Sequence, residues 1–383
     1  MRKIIETENL RTNFYTYEGV VKALNDVCIT VNHGETFGLV GESGCGKSVT
    51  VRSMMRIIQP PGKVESGKVL LFLDENGEQE AVDLLQQSES YMQSCCGDQI
   101  SMIFQEPNAA LNPILSIGEQ VAESFLFHRK KSLSEASLER LNAQDCKVPF
   151  KGIFKNLYKK YHEDENAFVF KLLSHIPLLN RWDFLIRQEA FKRAVEIISK
   201  LGIPHAEDIA VQFPHNLSGG MKQRIVIAIA LACSPMLLIA DEATSNLDVT
   251  IQAQILELLK DLKKKHISSI LLITHDLGVV AETCDRVGVM YAGSLCEVAE
   301  SRELFGNPSH PYTKALLESV PKFHQEGALK TIEGNVPNLV TPPAGCRFHP
   351  RCKHRMDICD KEVPNLLEIG KNHSVACHLF GDK

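Results

Sequence analysis

Short apolar runs separated by longer helical patterns dominate the arrangement of hydrophobic and polar positions along this chain. Residues 35–40, 236–240 and 269–274 are apolar enough to predict short buried strands. Residues 49–58, beyond the first of these runs, have the apolar spacing of a helix. The alternation of buried strands with helices predicts an α/β fold.

Further strand-like patterns flank the first buried run, whereas the middle of the chain is helical. Residues 1–34 alternate as strand, turn and strand, and residues 68–73 and 99–104 are two more strand-like runs. From residue 111 to about residue 212 the apolar spacing becomes helical. Within this part, residues 128–162 carry nine lysines and arginines against three acidic residues. We interpret this basic insertion as a solvated face or as a contact with a membrane surface or a partner.

The segment after the first strand matches a phosphate-binding loop. Residues 40–48 read Val-Gly-Glu-Ser-Gly-Cys-Gly-Lys-Ser, in which a glycine and four residues precede Gly-Lys-Ser. Backbone N–H groups of a strand–loop–helix turn can converge on phosphates, and glycines permit that close approach. Lys47 would reach the β- and γ-phosphates, and Ser48 would offer its hydroxyl to Mg²⁺. The predicted nucleotide site comprises Gly41, Ser43, Gly44, Cys45, Gly46, Lys47, Ser48 and Val49.

Two other structures are compatible with parts of this loop sequence. A plain glycine-rich turn between strand and helix would have the same composition, but it would not require the Gly-Lys-Ser ending. A dinucleotide-binding fold would need glycines spaced as Gly-x-Gly-x-x-Gly, whereas Gly41, Gly44 and Gly46 do not have that spacing. A polyphosphate site is therefore the favoured interpretation.

Polar side chains follow three other strand-like runs. Asp241 and Glu242 end the second buried run, and we expect Asp241 to hold Mg²⁺ and Glu242 to polarise the attacking water. His275 follows the third buried run and is predicted to contact the γ-phosphate. Gln105 follows the run at 99–104 and is predicted to lie near a metal-bound water. Without the phosphate loop, each would be read as an ordinary structural or surface residue.

A second glycine motif and one aromatic residue complete the predicted nucleotide site. Ser218, Gly219 and Gly220 begin a long apolar helix, so their N–H groups and the helix dipole form another anion site. One nucleotide does not need two such sites in one chain, so this motif is predicted to face the nucleotide of a different subunit. Tyr17 could stack on a base, although neighbouring aromatics compete and a core role is an equal alternative.

Composition and charge narrow the class of protein. The chain has 383 residues, 44% of them hydrophobic and 23% charged, which is typical of globular proteins with two or three domains. Its net charge of −5 gives no indication of nucleic-acid binding. The start lacks the apolar run of a signal peptide, and the longest apolar run, residues 225–233, is half of what a bilayer crossing needs. We therefore expect a cytoplasmic protein that reaches a membrane only through partners.

Four of the twelve cysteines lie close together near the C-terminus. In a reducing compartment, clustered cysteines indicate a metal more often than disulfides. Their spacing lacks the Cys-x-x-Cys pairs of a zinc ribbon. An iron–sulfur cluster, zinc and unmetallated thiols all stay open, and nearby His349, His354, His373 and His378 would permit mixed ligation. The cysteines concerned are Cys346, Cys352, Cys359 and Cys377.

Together, these motifs resemble those of the ATP-binding cassette (ABC) family, the ATPase subunits of membrane transporters. The resemblance covers about residues 3–300 and includes the phosphate loop, Gln105, the Leu-Ser-Gly-Gly signature at 217–220, Asp241-Glu242, Asp248 and His275 in the family's order. It implies a phosphate-loop core with an antiparallel β subdomain and an inserted helical subdomain. It also implies a head-to-tail dimer that holds two ATP molecules, with Glu242 as catalytic base, His275 as switch and Gln105 at the junction with membrane subunits.

The remaining tail resembles that of one subgroup of this family. Residues 310–317, 333–334 and 345–352 are similar to the D-type ATPase of dipeptide and oligopeptide importers. The resemblance implies an F-type ATPase as heterodimer partner, two permease subunits, an extracellular peptide-binding protein and a position on the cytoplasmic face of the membrane. It also favours a [4Fe–4S] cluster, which some members carry.

The resulting prediction is an ATP-hydrolysing subunit that energises peptide uptake and binds no nucleic acid. An ABC ATPase domain is predicted at residues 1–300, with a helical subdomain at about 107–230 and the basic insertion at about 128–190. Residues 301–383 are predicted to form the cysteine-rich extension. The alternatives are a nickel or other small-solute importer of the same subgroup, a soluble ABC ATPase outside transport, and an iron-sensing module that gates a weak ATPase.

Overall fold

The computed structural model describes residues 2–75, 78–142, 151–163, 182–243, 249–265, 269–319 and 332–381. The chain divides into two compact units. The first contains Met1–Cys96, Met236–Asn246 and Leu259–Lys383, and the second contains Gly97–Pro235 and Leu247–Leu258. Parts of the basic insertion and Asp248 of the predicted site lie outside the described residues.

An antiparallel sheet forms one layer of the first unit. Its order is β2-β1-β5-β6, and β3 also pairs with β1. The alternating pattern of residues 1–34 accounts for the first three strands, and the run at 68–73 is part of the much longer β5. The strands are β1 (Lys3–Thr16), β2 (Gly19–Val27), β3 (Thr30–Asn32), β5 (Gly62–Glu75) and β6 (Glu78–Asp83).

A second, mixed sheet carries in its parallel part the three buried runs that the hydrophobic pattern predicts. The runs form β4 (Thr36–Val40), β8 (Leu237–Asp241) and β9 (Ser269–Ile273), and all five residues of each strand are buried. Continuous apolar strands of this kind are typical of parallel sheets covered on both faces. Within the first unit the strand order is β12-β13-β11-β10-β4-β9-β8. The other members are β10 (Arg286–Tyr291), β11 (Ser294–Glu300), β12 (Leu367–Gly370) and β13 (His373–Val375).

Strand pairing brings three positions of the predicted site to one edge of the sheet. The strands β10, β4, β9 and β8 are parallel neighbours, and Asp241 pairs in register with Ile273. The polar residues after β4, β8 and β9 therefore follow the carboxyl ends of adjacent strands, where ligands bind in open α/β sheets.

Helices complete the first unit. They are α1 (Lys47–Met54), α2 (Glu89–Cys95), α11 (Leu277–Thr283), α12 (Ser301–Gly306) and α13 (Pro311–Glu318). The helix predicted at 49–58 begins two residues earlier and ends at Met54, because Arg56 adopts a left-handed φ of 55° that a helix cannot continue.

In the described residues of the second unit, β7 (Ile100–Ile103) is the one strand and the other regular elements are helices, as the pattern of residues 99–212 predicts. Within the basic insertion, Tyr158 is completely buried, and its hydroxyl donates to the Trp182 carbonyl at 2.7 Å. None of the described helices is long and apolar enough to cross a membrane. The helices of this unit are α3 (Pro107–Ala110), α4 (Ile117–His128), α5 (Lys130–Asn142), α6 (Lys151–Glu163), α7 (Phe184–Lys200), α8 (Ala206–Ala210), α9 (Gly219–Leu231) and the first part of α10 (Val249–Lys265).

Candidate functional site

The predicted phosphate loop connects the end of β4 to the start of α1. Gly41, Gly44 and Gly46 have φ values of 152°, 77° and 103°, which side chains rarely adopt. A Cβ atom on Gly41 would collide with the Met290 carbonyl oxygen, and one on Gly46 would lie 3.0 Å from the Ala23 carbonyl oxygen. Glycine is therefore required at both positions by backbone conformation and by the neighbouring strands.

Lys47 lies inside this loop and is buried. Its Nζ atom donates to the carbonyl oxygens of Gly41 at 2.8 Å and Glu42 at 3.0 Å, and it lies 3.6 Å from the Sγ atom of Cys45. The ammonium group is thus held by the loop it belongs to. Burial raises the pKa of the Cys45 thiol, which keeps this side chain neutral beside Lys47.

Ser48 and Asp241 meet at the carboxyl end of β8. The Ser48 hydroxyl donates to Oδ1 of Asp241 at 2.8 Å. Asp241 is fully buried, and no described residue donates a hydrogen bond to its Oδ2 atom. Burial therefore raises the pKa of this carboxyl group, although the Ser48 hydrogen bond and the charge of Arg52 oppose the shift. A buried carboxylate oxygen with an open lone pair beside a serine hydroxyl fits a hydrated Mg²⁺ ion.

Glu242 and His275 are the second pair that the structure brings together. Oε1 of Glu242 lies 3.7 Å from Nδ1 of His275, and the histidine side chain is 66% exposed. The Glu242 N–H donates to the Ile273 carbonyl at 3.0 Å, and the φ angle of Glu242 is 48°. A left-handed conformation is unfavourable for glutamate, and residues held in this way cluster at functional sites.

The remaining predicted residues are placed separately. Tyr17 lies in the turn between β1 and β2 and is 98% exposed. Ser218 caps α9 by accepting a hydrogen bond from the Met221 N–H at 3.4 Å, and space is open beside Gly219. Ser218, Gly219, Gly220 and the half-buried Gln105 all belong to the second unit. Their roles at the phosphates, and that of Asp248, stay predictions.

The four C-terminal cysteines are not arranged as a metal site. Among the described residues, no group of three or more His, Cys, Asp or Glu side chains is placed to hold a metal ion, so the [4Fe–4S] and zinc predictions are not supported. Two of the four residues are in direct contact, since the Cys346 N–H donates to the Cys359 carbonyl at 2.8 Å. Burial raises the pKa of the Cys346 thiol to about 11, and the charges of Cys377, Cys359 and Cys352 act in the same direction. Clustering in sequence predicted proximity correctly, but it did not predict coordination geometry.

Sequence reasoning missed a contact between the C-terminal segment and the phosphate loop. Arg351 forms an ion pair with Glu42, whose Oε2 atom lies 2.8 Å from Nη1. The Glu42 N–H also donates to the Tyr312 hydroxyl at 3.0 Å. The two charged residues are 309 positions apart, so no local spacing could have indicated their pairing.

Comparisons with known proteins agree with this geometry. The family described as ABC transporter matches residues 24–245, and the family described as Oligopeptide/dipeptide transporter, C-terminal region, matches residues 296–359. The dipeptide transport ATP-binding protein DppD of Bacillus subtilis (strain 168) is 41% identical over 381 residues, which cover 99% of this chain and 95% of the relative. The oligopeptide transport ATP-binding protein AppD of the same organism is 41% identical over 385 residues, or 100% and 98% of the two chains.

Solved structures show the same fold. A dimeric ATP-binding cassette in a post-hydrolysis state with ADP and phosphate has a TM-score of 0.55 at 21% identity, covering 78% of this chain and 99% of its own. The cbiO1 protein from Clostridium perfringens, part of the ABC transporter complex cbiONQ, has a TM-score of 0.51 at 24% identity, covering 80% and 92%. The ABC transporter family matches more than half of this chain, and its relatives align along nearly its whole length. This chain therefore belongs to the ATP-binding cassette family of transporter ATPases.

Proposed function

We propose that this chain is the ATP-hydrolysing subunit of an ABC importer that takes up dipeptides and oligopeptides. The observation that carries the proposal is the joint match of the ABC transporter family at residues 24–245 and the oligopeptide/dipeptide transporter C-terminal region at residues 296–359. Relatives named as dipeptide and oligopeptide transport ATP-binding proteins align along nearly the whole chain. A nucleotide-binding core alone would support many transport substrates, whereas the matched tail favours peptides.

The phosphate loop binds the nucleotide in this proposal. Backbone N–H groups of the loop contact the phosphates, except that of Glu42, which donates to the Tyr312 hydroxyl. Lys47 exchanges its two carbonyl partners for β- and γ-phosphate oxygens. Ser48 and Asp241 hold Mg²⁺, with Gln105 as a third group, and the ion would neutralise phosphate charge when bound. The Oδ2 atom of Asp241, to which no described residue donates a hydrogen bond, supports this assignment, because a bound ion would supply a partner.

Glu242 acts as the general base towards the attacking water, a role that contributes about 10²–10⁴ in rate. Its left-handed backbone directs the residue away from the line of β8, and its contact with His275 supports a shared role at the γ-phosphate. His275 senses the γ-phosphate from the end of the neighbouring strand. Both residues follow parallel strands that are directly paired.

The site is completed by a second ATPase subunit. Ser218, Gly219 and Gly220 contact the γ-phosphate of the nucleotide bound by that subunit, since the exposed cap of α9 offers free N–H groups to an anion. Asp248 contributes to the same interface, and Tyr17 stacks on the adenine base, consistent with its exposed ring. The division at about residue 300, with the helical subdomain at about 107–230, is part of this proposal.

The transporter places this chain at the cytoplasmic face of the membrane. We expect two permease subunits, an extracellular peptide-binding protein and an F-type ATPase as the heterodimer partner. The proposal includes a [4Fe–4S] cluster on Cys346, Cys352, Cys359 and Cys377, which the proximity of the four thiols supports. Iron and sulfide analysis of anaerobically purified protein tests it: a lack of both, with no broad visible absorption, would exclude the cluster.

Isolation of the native complex tests the transport function. The chain is purified from its own cells in mild detergent, and the co-purifying proteins are identified by mass spectrometry. Two multispanning permeases with a second cassette ATPase are expected, and peptide should stimulate ATP hydrolysis by the complex reconstituted in vesicles with its binding protein. Recovery of ribosomal or DNA-repair proteins without a membrane subunit would overturn the transport assignment and leave the ATPase chemistry intact.

A further inference from the structure

Glu42, the residue after the first glycine of the phosphate loop, is held by two side chains from the C-terminal part of the first unit. Its N–H donates to the Tyr312 hydroxyl at 3.0 Å. Its carboxylate receives two hydrogen bonds from Arg351, at 2.8 Å to Oε2 and 3.2 Å to Oε1. The predicted phosphate loop is thus attached at one residue to the part of the chain, residues 296–359, that matches the oligopeptide/dipeptide transporter C-terminal region.

The side chain of Arg351 is built into its position. It is only 6% exposed, and its remaining donors bond to the carbonyls of Glu333 at 2.9 Å and Ile332 at 3.2 Å and to the Tyr291 hydroxyl at 3.2 Å. Its guanidinium carbon lies 5.6 Å from the centre of the Tyr291 ring. Among side chains, only the planar guanidinium group of arginine can donate to a carboxylate and two carbonyls and also lie against an aromatic ring. A buried paired charge of this kind also resists displacement by salt.

Glu42 connects this clamp to the phosphate-binding lysine. Its carbonyl oxygen accepts hydrogen bonds from Nζ of Lys47 at 3.0 Å and from the Cys45 N–H at 3.3 Å. Movement of Glu42 would therefore move the groups that surround the phosphates. In addition, its carboxylate is a negative charge within the loop, and only a paired cation keeps that charge from repelling a polyphosphate.

We propose that Arg351 is a positioning residue for the phosphate loop: it neutralises Glu42 and, with Tyr312, holds the loop in its nucleotide-binding conformation. The affinity of the ATP site therefore depends on the C-terminal segment, through a direct contact rather than through the transporter. This inference rests on the proposed role of the loop in ATP binding. Arg351 binds the carboxylate of Glu42, so its effect passes through the charge and position of Glu42.

A double-mutant cycle that removes the charges of Arg351 and Glu42 in the full chain tests the inference. Binding of a fluorescent ATP analogue with Mg²⁺ and the KM and kcat for ATP are measured for Arg351→Gln, Glu42→Gln and the double variant. Arg351→Gln should weaken binding and raise KM roughly tenfold, because a charge-assisted bond is lost and Glu42 is left unpaired beside the phosphates. The kcat should change less than about twofold, and the double variant should bind within about threefold of the wild type because the repelling charge is gone.

Two further variants serve as controls. Arg355→Gln removes an arginine of the same segment that is 50% exposed and paired with Asp360, and it should leave ATP binding unchanged. Lys47→Ala should abolish binding through the loop itself. If Lys47→Ala binds ATP normally, the proposed function of the loop fails; if it loses ATP while Arg351→Gln binds like the wild type, only the present inference fails.

The double variant and a Tyr312→Phe variant give two further tests of the role of Arg351. A double variant as defective as Arg351→Gln would show that Arg351 acts through folding of the segment and would overturn the charge mechanism. Should Arg351→Gln fail to fold, Tyr312→Phe provides the test, because it keeps the buried ring and removes only the acceptor of the Glu42 N–H. If Tyr312→Phe binds ATP about threefold more weakly and its melting temperature is unchanged, the result supports positioning of the loop. Unchanged ATP binding overturns it.

Discussion

Replacement of Asp241 by asparagine should stabilise the nucleotide-free protein while it removes Mg²⁺-dependent nucleotide binding. Asp241 is fully buried, and no described residue donates to its Oδ2 atom. An unsatisfied buried polar atom costs about 1–3 kcal/mol, and more when it is charged. Asparagine keeps the Ser48 hydrogen bond through its amide oxygen and carries no charge. Because the new amide nitrogen also lacks a partner, we expect only part of this cost to be recovered, about 1 kcal/mol.

Thermal unfolding measures both effects. A gain of about 1 kcal/mol corresponds to a rise in melting temperature of about 2–4 °C for a domain of this size. ATP with Mg²⁺ should raise the melting temperature of the wild type above its value in ATP with chelator, because a ligand that binds only the folded state stabilises it. In the Asp241→Asn protein this Mg²⁺-dependent increment should vanish, since asparagine is a poor ligand for the ion.

An exposed carboxylate provides the matched control. Asp26 is 40% exposed and forms an ion pair with Arg11 at 2.6 Å. Asp26→Asn should lower stability by about 0.2–1 kcal/mol, opposite in sign to Asp241→Asn, and leave the Mg²⁺-dependent increment intact. A lower melting temperature for nucleotide-free Asp241→Asn, or a retained Mg²⁺-dependent increment, would refute the assignment of Asp241 as a strained ion ligand.

Three further predictions address the base, the loop and the C-terminal segment. Glu242→Gln should retain ATP binding and lose about 10²–10⁴ in hydrolysis rate, and a rate within threefold of the wild type would exclude Glu242 as the base. Gly41→Ala should destabilise the fold and abolish ATP binding because its Cβ atom would meet the Met290 carbonyl, whereas Gly44→Ala, with open space beside it, should cost only about 1–2 kcal/mol for its φ. Burial lowers the pKa of His310 from 6.5 to about 4, so the unfolded state takes up a proton at a higher pH than the folded state. The free energy of unfolding should therefore fall by on the order of 3 kcal/mol as the pH drops from about 6.5 to about 4. His310→Asn, which can still accept from the Tyr312 N–H, should flatten this pH dependence in denaturant titrations, and an unaltered slope would contradict the assignment.

The placement of the predicted phosphate loop between a buried strand and a helix follows from the sequence because its parts are local. A strand, a glycine-rich loop and a helix start occupy consecutive residues from Thr36 to Met54, so spacing alone determines which groups converge. The same holds for Asp241, Glu242 and His275, which follow continuous apolar runs. Such runs predict parallel strands, and parallel strands place the residues that follow them at one edge.

Coordination geometry could not be predicted in this way. The sequence places four cysteines near one another, and the structure keeps them in one neighbourhood. Ligation requires side-chain directions and distances set by the packing of short turns, and the described residues form no such metal-binding group.

The sequence by itself therefore determined the family, the α/β core and the residues of the phosphate loop, because each depends on short-range spacing and periodicity. Only the tertiary structure decided that Arg351 and Tyr312 hold Glu42, that Asp241 is buried with Oδ1 bonded to Ser48, and that Glu242 and His275 lie in contact. These contacts join residues far apart in the chain, and strand order, burial and side-chain reach determine them together. No repeating pattern in a sequence encodes a pair of charges separated by 309 positions.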